Sequence, residues 1–507
     1  MVGLTPETMK KSAFLLAFLL LTGFNIFYKL DGPSVRMWDE SRSGINAMEM
    51  LETGDLIVMR FDGEPDLWYT KPPLVAWMQA GFMSVLGRTE LALRLPSALA
   101  ALFTCLLLLW FSVTRLGRWR PGFMAGLALV GMKGYIAHHV ARTGDSDSVL
   151  IFFVTAYGLF FFNALEAERR RKLKWLMLSA LALGAAAMAK SSAALLMLPG
   201  VFIYTMIQPR PALFQKLLML TVLTAGAGIL AAYYLIREIA EPGFLSLLWN
   251  LEWGGRYMGG FPHHHEPWDF FIHALFRIDL FPHLWWVPLI LFILFMVRKE
   301  VMGRAGLYGL LMAAIYLVII SVPATKLEWY DAQMCPFIAL SIGCALHVLI
   351  GYVEKTVPDA STRTVATVMV IALLGPNYYL IYRQNNSCAD PKKPEYERAG
   401  YAAMELLRQR PLMNDYSLLG LGFNQSAHFY KNRLEAEHGV RLHNLDAFHH
   451  TPDPDLPLLI CHDTLNQVFG SGSRPLLWAT DYGCRLYGPE PNARWPVALP
   501  SSPQKEQ

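Results

Sequence analysis

The chain has 507 residues, of which 54% are hydrophobic and only 17% charged, with a mean hydropathy of +0.31. One soluble core cannot bury that much apolar surface, so much of the chain must face lipid. The net charge of +4 is small and spread over many short segments, which excludes the single basic face that DNA or RNA requires.

In chain order, Lys10 and Lys11 precede an apolar stretch from Ser12 to Tyr28. No small-residue cleavage pattern follows before the charged segment Asp31 to Glu40, so this stretch reads as a retained first span. Pro72 to Leu86 is apolar but short and flanked by polar clusters, and reads as a helix lying at the interface. Stretches that can cross a bilayer, which takes roughly 20 helical residues, follow at 95–114, 121–140, 148–165, 175–189, 191–208, 217–236, 282–297, 305–322, 330–353 and 364–382. With the first span they make eleven. Beyond them the apolar runs Ser417 to Gly422 and Pro457 to Cys461 alternate with helical patterns such as Tyr396 to Leu407, as in a small α/β domain. The expected architecture is an α-helical polytopic membrane domain over 1–384, followed by a soluble α/β domain over 385–507. Cys388, Cys461 and Cys484 fall in that exported domain, where oxidation is allowed, and Cys461 with Cys484 is a candidate disulfide.

Loop charges orient the spans, because cytoplasmic loops collect Lys and Arg. From a cytoplasmic N-terminus the inside segments hold Arg115, Arg118 and Arg120, then Arg169 to Lys174, then Arg298, Lys299 and Arg304, then Lys355 and Arg363. The outside receives 31–94, the turn 141–147, the hinge at Lys190, the loop 237–281, the turn 323–329 and everything after about 384. Were Pro72 to Leu86 a full span, the run Arg169 to Lys174 would fall outside and the charge rule would fail.

Ionisable groups also sort to the outside: Asp39, Glu40 and Arg42; Tyr69 and Lys71; Asp145 and Asp147; Arg256 and the His263 to Glu266 run; Lys326 and Tyr330. Such groups are costly at membrane depth, so their convergence on one face marks a cavity for a charged ligand. A phosphate leaving at a membrane boundary needs fixed positive charge, and a hydroxyl attacking there needs a carboxylate to take its proton. Lys71, Arg256 and Lys326 come from three outside segments and can supply the first, and Asp39 the second.

The ordered motifs Trp-Asp-Glu-Ser-Arg (38–42), Tyr-Thr-Lys-Pro-Pro-Leu (69–74), Ala-Arg-Thr-Gly-Asp-Ser-Asp (141–147), Ala-Met-Ala-Lys (187–190), Arg-Tyr-Met-Gly-Gly-Phe-Pro-His-His-His-Glu-Pro (256–267) and Thr-Lys-Leu-Glu-Trp-Tyr (325–330) resemble the GT-C glycosyltransferases. The nearest branch holds the protein O-mannosyltransferases and the lipid A aminoarabinose transferase. The resemblance covers roughly 30–340. It implies inverting transfer from a polyprenyl monophosphate sugar, with Asp39 as catalytic base beside Glu40 and with Asp147 as the second acidic motif. It also puts Arg42, Tyr69, Lys71, Arg256, Lys326 and Tyr330 on the lipid phosphate. The implied partners are a polyprenyl-phosphate sugar donor, a lipid or glycan acceptor and the membrane, and the implied setting is a bacterial inner membrane with a periplasmic active site. Ser43, where the closest relatives carry an aromatic residue, and the triple histidine are departures from the pattern.

Blander roles stand beside these. Asp39 with Glu40 can begin an interfacial helix, Asp147 can cap the next one, and Lys71, Lys190 and Lys326 can snorkel at span ends. His263, His264 and His265 read as a polar loop, with a divalent metal as the alternative, since consecutive histidines cannot all point one way. No P-loop or dinucleotide fingerprint appears in a strand-turn-helix setting, so no cofactor is implied. A lipid-linked sugar transporter is the rival class, but transporters carry matching broken halves and no such repeat is visible.

Overall fold

A computed structural model of the chain describes residues 6–489 apart from 137–138, 209–212, 253, 255–265, 276–285, 357–358, 389, 391, 393–396, 411–412, 423 and 471–473. From the N-terminus come α1 (Pro6–Phe27), α2 (Asp39–Thr53), a hairpin of β1 (Arg60–Phe61) with β2 (Glu64–Pro65), and α3 (Leu74–Leu86). The helical body continues with α4 (Glu90–Arg115), α5 (Arg120–Val130), α6 (Lys133–Ile136), α7 (Asp147–Glu166), α8 (Arg169–Lys190), α9 (Leu198–Ile207), α10 (Leu213–Ala225) and α11 (Gly228–Ala240). It ends with α12 (Phe244–Leu248), α13 (Phe270–Ala274), α14 (Val287–Met296), α15 (Val301–Ser321), α16 (Cys335–Thr356) and α17 (Asp359–Cys388).

Among the described residues six helical stretches are long and apolar enough to cross a membrane: Glu90–Arg115, Asp147–Glu166, Arg170–Leu195, Met219–Ala240, Val301–Ser321 and Glu328–Thr356. Their shared core is buried, with Leu108, Phe111, Leu129, Phe161, Tyr308 and Phe337 under 2% exposed. Their outer faces keep large apolar side chains open, such as Leu181 at 61% and Val318 at 66%. Exposure on that scale costs about 25 cal/mol per Å² in water and nothing in hydrocarbon. The 13 residues of α3 reach about 20 Å at 1.5 Å per residue, and α5 and α9 are shorter still, against a hydrocarbon layer of roughly 30 Å.

The expected span 121–140 is not one continuous helix, since α5 ends at Val130. Asn25 of α1 donates its amide to the Val130 carbonyl at 3.3 Å, taking the acceptor that the next helical turn would use. The expected span 191–208 likewise opens on a tight turn, Ser191–Leu195, before α9 begins.

The C-terminal part comprises α18 (Arg398–Gln409), β3 (Asp415–Gly420), α19 (Gln425–His438), β4 (Arg441–Asp446), β5 (Leu458–Ile460), α20 (Asp463–Gly470), β6 (Leu476–Ala479) and β7 (Arg485–Tyr487). Its sheet runs β4-β3-β5-β7-β6, with β4, β3 and β5 parallel and β7 antiparallel to both neighbours. Cys461 and Cys484 are joined as a disulfide. The unit docks through α19. The backbone N–H of Val35 donates to the Tyr430 hydroxyl at 3.0 Å, that hydroxyl donates to Glu90 at 2.9 Å, and Arg433 pairs with Glu90 at 2.8 Å. Gly44 of α2 permits the approach, because a Cβ there would lie 2.7 Å from the buried Phe429 ring.

Candidate active site

Asp39 and Glu40 form the first turn of α2, where two carboxylates favour the positive end of the helix dipole. They then part. Glu40 is 1% exposed and accepts from Arg94 Nε at 2.7 Å, Arg94 Nη2 at 3.2 Å, and the backbone N–H groups of Gly144 and Arg36 at 2.9 Å each. Arg94, also 1% exposed, donates onward to the carbonyls of Leu30, Pro33 and Ser34. The pair thus ties three segments together beneath the site. Both Glu40 oxygens are occupied by these donors, whereas Asp39 beside it is half open.

Asp39 keeps 42% of its side chain open, and its Oδ2 lies 3.3 Å from Lys71 Nζ. Burial tends to raise its carboxyl, but the charges of Lys71, His139 and Lys190 together offset this, and the group is held below the usual carboxylate range. Burial opposes the charge on Lys71, but Asp39, Tyr69, Asp145 and Asp147 together outweigh it, so the ammonium is held above the ordinary lysine range. Lys71 also sits 5.5 Å from the centre of the buried Tyr69 ring.

Arg42 is paired bidentately with Asp66 at 2.8 and 2.6 Å. Asp66, 2% exposed, also accepts from Asn46 and from the backbone N–H groups of Trp68 and Tyr69, and so anchors the loop that carries Lys71. Gln79 of α3 performs the same service on the other side, accepting from Ser43 at 2.7 Å and donating to the Gly144 carbonyl at 2.6 Å. Ser43, the departure from the motif, is the residue that makes this link.

The second acidic motif divides. Asp145, 3% exposed, accepts from Thr143 at 2.5 Å and faces His139 Nδ1 at 3.2 Å, while the His139 ring stacks on Trp329 at 3.6 Å between centroids. Burial alone would raise the Asp145 carboxyl, but the His139 charge and hydrogen bond hold it well below the carboxylate range. Ligand atoms of Asp39, His139 and Asp145 all lie within 4.8 Å of one another. Lys71, at 3.3 Å from Asp39, already supplies a positive charge to that cluster. Asp147 opens α7 and instead holds Lys190 Nζ through both oxygens at 2.7 and 2.6 Å.

Lys71, Asp147, Lys190 and Tyr330 line an open cavity of about 840 Å³, together with the apolar Leu196, Ile319, Ile320 and Pro323. Lys190 Nζ stands 5.8 Å from the centre of the Tyr330 ring. Lys326 does not line this cavity. Its ammonium donates to the carbonyls of Glu266 at 2.9 Å and Pro323 at 2.6 Å, which fixes the turn whose Thr325 and Tyr330 do. Lys190 therefore stands as the second cation of the cavity. Arg256, His263, His264 and His265 lie outside the described residues. Sequence reasoning missed Arg94, Asp66 and His139. A lone arginine at the head of an apolar span was the one available signal among them.

Comparison with known proteins adds the following. Residues 70–236 match the dolichyl-phosphate-mannose-protein mannosyltransferase family. The undecaprenyl phosphate-alpha-4-amino-4-deoxy-L-arabinose arabinosyl transferase of Aeromonas salmonicida is 26% identical over 258 residues, 49% of this chain and 45% of the relative. The enzyme of that name from Edwardsiella ictaluri is 26% identical over 277 residues, 54% and 49% of the two chains. The chain thus spans about half the length of these curated relatives. The crystal structure of ArnT from Cupriavidus metallidurans bound to undecaprenyl phosphate superposes with a TM-score of 0.67 at 17% identity, covering 94% of this chain and 98% of ArnT. The apo form superposes equally well. The chain has the fold of these GT-C proteins and, in its ordered motifs, resembles their aminoarabinose transferase and protein mannosyltransferase branch.

Proposed function

We propose that this protein transfers a sugar from a polyprenyl monophosphate carrier to an acceptor hydroxyl at the outer face of a bacterial inner membrane. The observation that carries the reading is a half-open carboxylate, Asp39, 3.3 Å from a lysine that lines a cavity with both charged and apolar walls. The lysines suit a phosphate and the apolar lining its isoprenoid tail. Lys71 and Lys190 hold the phosphate, and Tyr330 shapes the wall beside it. Attack by the acceptor oxygen on the anomeric carbon forms one C–O bond as the bond to phosphate oxygen breaks. The departing monophosphate carries the electron pair, and Asp39 takes the hydroxyl proton. A single displacement inverts the anomeric configuration. A depressed carboxyl serves here because the hydroxyl becomes strongly acidic only as its new bond forms. Asp145 is less suited to be the base, since Thr143 and His139 already occupy it.

In this reading eleven spans place the loops between 31 and 94 and the 385–507 domain in the periplasm, with lipid A or another lipopolysaccharide sugar as the favoured acceptor. The names of the relatives from Aeromonas and Edwardsiella support a lipid-directed transferase. A protein acceptor is the second reading, favoured by the mannosyltransferase match over 70–236. Mass spectrometry of lipid A from a deletion strain separates the two. Asp39→Asn should still bind undecaprenyl phosphate while losing turnover of the lipid-linked sugar by at least a hundredfold. Wild-type turnover in that variant would remove Asp39 as the base. Consumption of donor in detergent, where transport has no meaning, separates a transferase from a sugar-lipid transporter.

A further inference from the structure

The crevice along the carboxyl edge of β4, β3 and β5 takes no part in the chemistry above. In an open α/β sheet, ligands bind outside the carboxyl ends of the parallel strands, where the strand order reverses. Here the chain passes from β3 to β4 on one side and then to β5 on the other, so the reversal lies at the end of β3. Two hollows occupy that edge. One, of about 1000 Å³, lies between Asn424, His428, Asn444, Asp446 and His450 and reaches Asp62 of the membrane-side hairpin. The other, of about 540 Å³, lies between Leu421, His462 and Met37. Asn424 and Asn444 line both, which joins them into one crevice.

Its Met37 wall stands two residues before Asp39, and the residue between is Trp38. Trp38 is 62% exposed and has φ 69°, an uncommon conformation for a bulky side chain and of a kind that gathers at functional sites. Gln425, the first residue of α19, lies between the Trp38 carbonyl and Arg42 Nη1, 3.2 Å from each in the amide orientation that satisfies both. The crevice and the Asp39 loop are therefore mechanically joined.

The lining selects a ligand class. The carboxylates Asp62, Glu435 and Asp446 outnumber Lys431, which disfavours phosphate. Asparagine, histidine and carboxylate together both donate and accept, as sugar hydroxyls do. An exposed indole offers an apolar platform with little entropy to lose. We propose that this crevice binds the saccharide of the acceptor and lays it across Trp38 toward Asp39. The proposal rests on the transferase reading for the identity of the ligand as acceptor.

Saturation-transfer NMR on the full-length protein in detergent, with a glucosamine disaccharide as probe, tests binding without turnover. The disaccharide should bind wild type in the millimolar range, about tenfold more weakly in Asn444→Trp and in Trp38→Ala, and about threefold more weakly in His450→Ala. The last variant is at an exposed position and guards against misfolding, which unchanged melting temperatures would exclude. In a parallel transfer assay the same changes should raise KM for lipid A by similar factors while the Kd for undecaprenyl phosphate stays within twofold. Equal binding of the disaccharide to wild type and to all three variants, no binding to wild type, or preferential binding of a threonine-rich peptide would overturn the crevice assignment. Variant-sensitive binding without any transfer to lipid A would leave the crevice standing and sink the transferase reading.

Discussion

Lys71 and Lys190 both line the cavity, one paired with Asp39 and the other with Asp147. Removing one charge-assisted contact costs about 1.5–3 kcal/mol, so Lys71→Ala and Lys190→Ala should each weaken undecaprenyl phosphate binding by about one to two orders of magnitude. Lys326→Ala should weaken it less, because its ammonium is spent on two carbonyls. Calorimetric titration of the lipid phosphate into purified variants checks the order, and equal losses at all three positions would contradict it. Glu40 and Arg94 call for a different readout. Breaking a buried pair by removing one partner costs about 3–5 kcal/mol, so Arg94→Ala should lower the melting temperature markedly. Donor turnover per folded molecule should follow the same pH profile as wild type. At the pH scale, Asp39 works as its carboxylate and is held low by Lys71, so the acid limb of activity should lie below the ordinary aspartate range and move upward in Lys71→Ala.

Among the elements, α2 and α19 do most to couple the two parts of the chain. The first positions Asp39 at its start and admits Phe429 at Gly44, and the second brings Ser426, Tyr430 and Arg433 onto Val35 and Glu90. The α/β sheet that carries α19 is small and is closed by the Cys461–Cys484 bridge across 23 residues of chain. A loop of that size contributes about 3 kcal/mol by restricting the unfolded chain. The double variant Cys461→Ala with Cys484→Ala should therefore melt the C-terminal sheet earlier, seen as faster proteolysis after residue 397, while the helical body stays intact. Wild type treated with reductant should behave in the same way. The patterns of α4, α7, α15 and α16 were legible because long apolar runs with few charges admit little else. The break after Val130 was not, since it depends on a side chain from α1 taking a carbonyl more than a hundred residues away in sequence.

For the whole molecule, the distribution of basic loops makes a topological prediction. Cysteines introduced near Ser41 and Gly260 should react with an impermeant reagent added outside, whereas those near Arg118 and Arg171 should stay protected until the membrane is opened. Reversed labelling would overturn the orientation. Composition by itself determined that this chain belongs in lipid, and loop charge is the ground for expecting the ionisable motifs on one face. The order of those motifs pointed to Asp39 as a base and Lys71 as a phosphate-binding cation, and the two lie 3.3 Å apart. Tertiary structure alone decided the partners of the rest. Asp145 and Asp147 are two residues apart, yet one sits in a loop beside Asp39 and the other in the first turn of a helix, so they face different groups. Glu40 follows Asp39 directly and points into the protein because α2 turns about 100° per residue. Linear spacing carries the types of side chain available at a face, but which of them meet is set by helix phase, loop path and the depth of burial, and these exist only once distant segments have packed.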